Sequence, residues 1–179
     1  MIKKALIAFL LALLVVAAYV QTRPATYLVT RTTAIAVPPA AVFIFVNDFH
    51  NWTKWSPWAK LDPQMKETYE GPSSGVGAVY KWSGNDKAGE GVMTIAESKQ
   101  DQSVAINLSF TKPYASSSVV KLEMSPEGAG SAVTWTMTGE NNFLLKAMSV
   151  FVSMDQMVGA DFEKGLTQLK SAAEAAAKR

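Results

Sequence analysis

Hydrophobic positions change their period along the chain. Residues Ala5 to Val20 (ALIAFLLALLVVAAYV) are apolar without interruption and follow Met1-Ile-Lys-Lys. A helix there has no polar stripe to show water. From Tyr27 to Val37 the run is rich in β-branched residues, with Tyr27, Val29, Ile35 and Val37 on one parity, which predicts a first strand. Pro38-Pro39 ends it and starts a helix through Ala40 to Phe49, where Val42, Phe43, Val46 and Phe49 recur at helical spacing. Six strands are then expected at 65–70, 76–83, 90–97, 103–111, 115–124 and 131–138. Their connections GPSSG, GNDKAG, KQDQ, TKPY and PEGAG carry the glycines, prolines and small polar residues of tight antiparallel turns.

Parity within these runs divides the sheet into a buried and a wet face. Val104, Ile106, Leu108 and Phe110 share one side, as do Val133, Trp135 and Met137, while Asn107, Ser109, Thr134 and Thr136 take the other. From Asn142 to Lys178 the period becomes helical, with a stripe that includes Leu144, Met148, Phe151, Val158, Phe162, Leu166 and Leu169. One long helix is expected, with a kink or short break at Gly159 and the Ser153–Asp155 segment, since glycine weakens a helix interior by about 1 kcal/mol against alanine. A strand, a helix with an irregular segment, six antiparallel strands and a long amphipathic helix is the element order of the helix-grip fold. The expected class is α+β: a curved, antiparallel, seven-stranded sheet around the C-terminal helix, preceded by an N-terminal transmembrane segment.

Composition and charge change the picture at the N-terminus most. A chain of 179 residues suits one domain with an appendage. The apolar run reads as a signal anchor or a signal peptide over 1–22, followed by a linker at 23–26 and the domain at 27–179. Sixteen apolar residues are short for a span, which ordinarily needs about 20, so Tyr19, Gln21 and Arg23 would serve at the interface. Val16-Ala17-Ala18 is a weak cleavage site, so the anchor is preferred over a cleaved signal. Lys3 and Lys4 keep the N-terminus cytoplasmic by the positive-inside bias. The protein is thus expected in the cytoplasmic membrane as a single-pass chain with its domain outside, or secreted or periplasmic after cleavage. A net charge of +2 without a block of like charges excludes a nucleic-acid arm. With no cysteine, disulfides, thiolate metal sites and cysteine nucleophiles are excluded together.

Candidate chemistry is sparse. His50 is the only histidine, so no two-histidine metal site can form, and neither metal nor cofactor is expected. A Ser-His-Asp arrangement would pair His50 with Asp48, two residues away, or with a distant acid; the near pairing is poor geometry for orienting the imidazole. Convergence of Glu90 with Asp155 or Asp161 has no support in their spacing. Gly71 to Gly77 lacks the Lys-Ser/Thr ending of a phosphate loop and reads as a hairpin. No catalytic residue is assigned.

The stretch Asn47 to Trp58 (NDFHNWTKWSPW) holds that histidine and three of the five tryptophans. Phe45-x-x-Asp48-x-x-x-Trp52-x-x-Trp55-Ser56-Pro57-Trp58, with Asp62-Pro63, Tyr69-x-Gly71, Gly75-x-Gly77 and Tyr80-x-Trp82-x-Gly84, resembles the membrane-anchored bacterial branch of the START-like (SRPBCC) superfamily, often labelled polyketide cyclase/dehydrase. The resemblance covers Tyr27 to about Ala173. It implies a curved sheet wrapped around the C-terminal helix with a hydrophobic pocket between them, and it does not imply one chemistry, since members include lipid carriers, receptors, cyclases and chaperone activators.

Large, adaptable side chains at inward positions also suit a cavity. Met93, Phe110, Trp135, Met137, Met148, Phe151, Met154 and Met157 are expected to line it, and methionine repacks around varied apolar ligands. Tyr80 and Trp82 join them as ligand-binding residues, with His50 and Trp58 at the opening and Trp55 as structural cement. The expected function is non-catalytic binding or carrying of a hydrophobic small molecule or lipid by an exported, membrane-tethered domain. The alternatives are a cyclase/dehydratase-type enzyme using the same cavity, or a protein-interaction module of the chaperone-activator type gripping a partner with exposed tryptophans.

Overall fold

A computed structural model describes residues 2–178. Helix α1 (Ile2–Gln21) is exposed along almost its whole length, and only Val20 is buried. At 1.5 Å per residue it extends about 30 Å, the thickness of a bilayer's hydrocarbon core. Among the described residues it is the one helix long and apolar enough to cross a membrane.

The domain that follows has one antiparallel sheet of seven strands: β1 (Thr26–Ile35), β2 (Lys66–Glu70), β3 (Val79–Ser83), β4 (Glu90–Lys99), β5 (Ser103–Lys112), β6 (Ser116–Glu127) and β7 (Gly130–Glu140). Their spatial order is β1-β7-β6-β5-β4-β3-β2, so β2 to β7 form a meander and β1 closes the far edge against β7. Register shifts in β4 at Glu90/Gly91 and Ile95/Glu97 bend the sheet. Its concave face carries Val29, Ile95, Val104, Ile106, Leu122, Val133 and Trp135, all nearly inaccessible. The expected first strand and meander are present, with one trimmed start. Val76 to Ala78 lie outside β3, because Gly75 and Gly77 adopt positive φ (76° and 88°) and turn the chain before pairing begins at Val79.

Helix α2 (Pro39–Val46) starts at proline as anticipated and stops three residues earlier than expected. Asp48 accepts a bond from the His50 amide and begins a separate 3-10 turn, Phe49–Lys54. The C-terminal helical pattern is divided in two, α3 (Phe143–Met148) and α4 (Met154–Ala177). Both have their own N-caps: the Asn142 side chain accepts from the Leu145 amide, and Ser153 with Gln156 forms a reciprocal capping box. The break therefore falls just before Met154. Gly159, expected to kink the helix, lies inside an unbroken α4, where its missing side chain admits the Arg31 guanidinium.

Helix α4 lies across the sheet's concave side and buries Phe162, Leu166, Leu169 and Ala173. Arg31 on β1 fixes its first turns through 2.7 Å contacts to Asp155 and Glu163. A curved sheet gripping one long helix is the helix-grip architecture, and the gap at the N-terminal half of α4 holds the site.

Candidate functional site

A cavity of about 260 Å³ lies between the sheet, the Asn47–Trp58 stretch and the first turns of α4. The tryptophans form its floor. Trp52 and Trp55 are buried, and their indole N–H groups donate to the carbonyls of Val46 (3.1 Å) and Phe45 (3.0 Å), locking the 3-10 turn onto the end of α2. Trp55 is the structural cement expected of it, although its bond runs to α2 and its sheet contact is through Trp135, 5.3 Å between centroids. Trp58 is half-buried, lines the cavity and meets Trp135 edge-on at 5.7 Å. Phe162 of α4 stacks on Trp135 at 4.2 Å, and Gly165 leaves room for that indole's outer edge. With Trp52 and Trp55 buried and Trp58 turned to the cavity, no exposed indole cluster remains for gripping a protein partner, so the basis of the chaperone-activator reading is absent.

The sheet supplies the walls. Trp82, Met93, Leu108 and Phe110 come from β3 to β5, and Val120, Trp135 and Met137 from β6 and β7. The outer edge of the Trp82 ring sits against Gly91, where a Cβ would collide with it, so the glycine sets how deeply the indole sits. Met154 and Val158 close the cavity from α4.

Polar groups are few, with Thr53, Ser56, Lys87 and Ser116 among them. The Tyr80 hydroxyl donates to Glu67 at 2.7 Å, and Tyr69 reaches the other carboxylate oxygen at 3.5 Å. Burial first, and then the Glu67 charge, pushes the Tyr69 phenol up to about 12; burial, and then the hydrogen bond to Glu67, pushes the Tyr80 phenol higher still. Both hydroxyls are therefore neutral donors across the physiological range. Deeper in, Tyr27 and Ser118 hydroxyls share a 2.7 Å bond, with the Tyr27 ring over Gly139. The Trp135 Nε1–H, fully buried, has no acceptor among the described residues.

Of the residues expected to contact ligand, Trp58, Tyr80, Trp82, Met93, Phe110, Trp135, Met137 and Met154 line this cavity. Four do not. His50 sits outside the wall, half-exposed, stacked on the back of Tyr69 at 4.2 Å. Contrary to expectation, Asp48 does hold its imidazole, 2.8 Å from Nδ1, because as N-cap of the 3-10 turn it directs its carboxylate at the His50 amide and so also at the ring. Met148 falls on short α3, away from the cavity. Phe151 is 89% exposed, because the break before Met154 changes the helical phase that had placed it on one stripe with Phe162; Met157 is also exposed, about 140° round α4 from Phe162.

Glu67, Tyr69 and Met65 on the edge of β2, and Tyr27 on β1, were not expected among the lining residues. Parity offered a signal in part, since Tyr27 shares its side with the buried Val29. Glu67 could not be found this way: it sits on an exposed edge strand and reaches the cavity only because β2 pairs Glu67 opposite Trp82 and beside Tyr80.

A family model described as "Polyketide cyclase / dehydrase and lipid transport" matches residues 27–174. No curated protein matches the sequence. Among solved structures, the chain is similar to protein SA2116 from Staphylococcus aureus, of unknown function (11% identity, TM-score 0.61, covering 86% of this chain and 97% of that one). It is also similar to Mll3558 from Rhizobium loti (18% identity, TM-score 0.57, 83% and 96%) and to MLL2253 from Mesorhizobium loti (14% identity, TM-score 0.59, 83% and 98%). At these identities the likeness shows the shared fold alone.

Proposed function

The chain belongs to the polyketide cyclase/dehydrase and lipid transport family of the START-like superfamily, and from that premise we propose that it binds and carries a hydrophobic, ring-bearing small molecule or lipid portion from a membrane-tethered position. The observation that carries this reading is the cavity itself: it is walled mainly by aromatic and methionine side chains, with Glu67 and Lys87 the charged residues among them. Apolar walls with a few placed polar groups are what small-molecule sites share, and about 260 Å³ is near the lower end of their usual size. The Glu67 carboxylate, bonded to Tyr80 and reached by Tyr69, keeps lone pairs for a ligand hydroxyl or amine. The Trp135 N–H, buried and without an acceptor among the described residues, is a donor that a carbonyl or hydroxyl oxygen would satisfy if the wall repacked around a ligand.

Native mass spectrometry of the full chain released from detergent tests this directly. A non-covalent apolar adduct is expected, and a chain that stays at its bare mass after exposure to a lipid extract would overturn the reading.

An enzymatic reading has one observation in its favour, the Glu67–Tyr80 pair in the wall. Proton transfer favours groups whose pKa lies near the working pH. Burial moves Tyr80 and Tyr69 in the opposite direction, which suits them to donate hydrogen bonds and not protons. Chemistry at this site would show as a change in mass of the bound molecule that Glu67→Gln prevents.

A further inference from the structure

Most large apolar side chains exposed after α1 gather at one end of the domain, the end where β1 begins, β7 finishes and β5 turns into β6. Phe143, Leu144 and Phe151 come from α3 and the bend after it, Tyr114 from the β5–β6 turn, and Leu28 and Val119 from the outer sheet face, where each pairs with Thr138. Phe151 presents 89% of its surface. Residues 141–154 include no acid, and Lys146 and Arg23 are the basic groups beside them.

This end is also where α1 joins. Four residues separate Gln21 from the first residue of β1, Thr26. They can reach no further than about 14 Å when fully extended. Val20 is buried and the Arg23 guanidinium donates to the Ser149 carbonyl at 3.0 Å, so the end of α1 is tied to α3. If α1 crosses a bilayer, no spacer is left to hold the domain away from it.

Resting on the tethered-carrier reading, we infer that α3, the Ser149–Ser153 bend and the β5–β6 turn form a membrane-contact face, seated in the interfacial layer of the bilayer that α1 enters. Phe151, Phe143 and Tyr114 enter the headgroup and upper acyl region, where aromatic side chains are favoured, and Lys146 remains at headgroup level. The same end of the sheet carries Tyr27, Phe110 and Ser116, and Met154 follows directly after the bend. All four line the cavity. The cavity thus abuts the membrane face, and its ligand is drawn from molecules dissolved in the bilayer.

The absence of native cysteine makes single-site labelling clean. Full-length Phe151→Cys, Tyr114→Cys, Leu10→Cys and Glu127→Cys proteins carry a nitroxide in vesicles of phosphatidylcholine and phosphatidylglycerol. Collision with oxygen, which concentrates in lipid, is compared with collision with a water-soluble nickel chelate. Glu127 is exposed at the β6–β7 turn, the opposite end of the sheet, and reports water. Labels at 151 and 114 should show an oxygen-to-nickel accessibility ratio several-fold above that at 127 and approaching that at 10. A lipid-like ratio at 10 with water-like ratios at 151 and 114 overturns the membrane face alone and leaves the tether standing. Shielding of 151 and 114 from both reagents means that a protein or a second copy covers the face, and also overturns it. A water-like ratio at 10 removes the tether and the inference together.

Discussion

The Trp135 indole is 1% exposed, surrounded by Trp52, Trp55, Trp58 and Phe162, yet its N–H donates to nothing among the described residues. A buried, unsatisfied donor costs about 1 to 3 kcal/mol, and a ligand oxygen that reached it would recover much of that. The expected consequence is discrimination between ligands of equal shape. 9-Fluorenone should bind roughly tenfold or more tightly than fluorene, as measured by quenching of tryptophan fluorescence. Trp135→Phe removes the N–H while keeping an aromatic ring, so the two compounds should then bind alike, with fluorene affinity little changed. Equal affinities in the natural protein would show that Trp135 has no part in selection. Trp135 was legible in the sequence as an inward aromatic; its lone donor was not, since that depends on the placement of every possible acceptor around it.

Helix α4 is held to the sheet by packing at one glycine and an ion cluster at another. At Gly165 a methyl group would press on the Trp135 ring and on Pro57, both rigid and buried. Gly165→Ala gains about 1 kcal/mol in helix propensity, while overpacking costs about 1 to 3 kcal/mol, so a net loss of roughly 1 kcal/mol is expected in urea unfolding. At Gly159 the added methyl presses on the Arg31 guanidinium, the far end of a flexible side chain, and touches the Asp155 carboxylate at ordinary contact distance. Gly159→Ala should therefore be the more stable of the two variants, and the reverse order would mean that the Arg31 contacts outweigh the Trp135 contact in seating α4. Those contacts hold Asp155 below the usual carboxylate range, chiefly through the hydrogen bond from Arg31. The stability they contribute is present above the ordinary carboxylate pKa and is lost as pH falls through the lower folded value. At this scale the sequence was legible in its periods and less so in its boundaries. The helical stripe ran correctly through Phe162 and Leu169, yet it carried Met148 and Phe151 inward, because a period extended across Ser149–Ser153 assumes a continuity that the end of α3 at Ser149 and the N-cap at Ser153 interrupt.

At the scale of the molecule, the proposal that α1 tethers the domain to a membrane predicts one orientation of the chain. Lys3 and Lys4 lie in the first turn of α1, ahead of its apolar run, and by the positive-inside bias a cytoplasmic N-terminus is expected. Alkaline phosphatase, which folds only outside the cytoplasm, should be active in a bacterium when fused after Arg179, and the fusion should sediment with membranes. A start at Arg23 without an export signal should make it soluble and inactive. Activity released in soluble form from the full-length fusion would instead mean that α1 is cleaved as a signal.

Period and punctuation along the chain were enough to determine the apolar N-terminal helix, the seven strands and the amphipathic C-terminal segment, and the motifs from Phe45 to Gly84 carried the resemblance to the family, because these depend on which residues neighbour one another in sequence. Tertiary structure decided the rest. Glu67 became a wall residue through pairing with β3, and His50 was set behind Tyr69 by a single 3-10 turn. Phe151 was turned outward beside the root of α1 by a capped restart of the helix. All three depend on distances between segments far apart in the chain, or on one local change of phase, and neither is encoded in the alternation of apolar and polar positions.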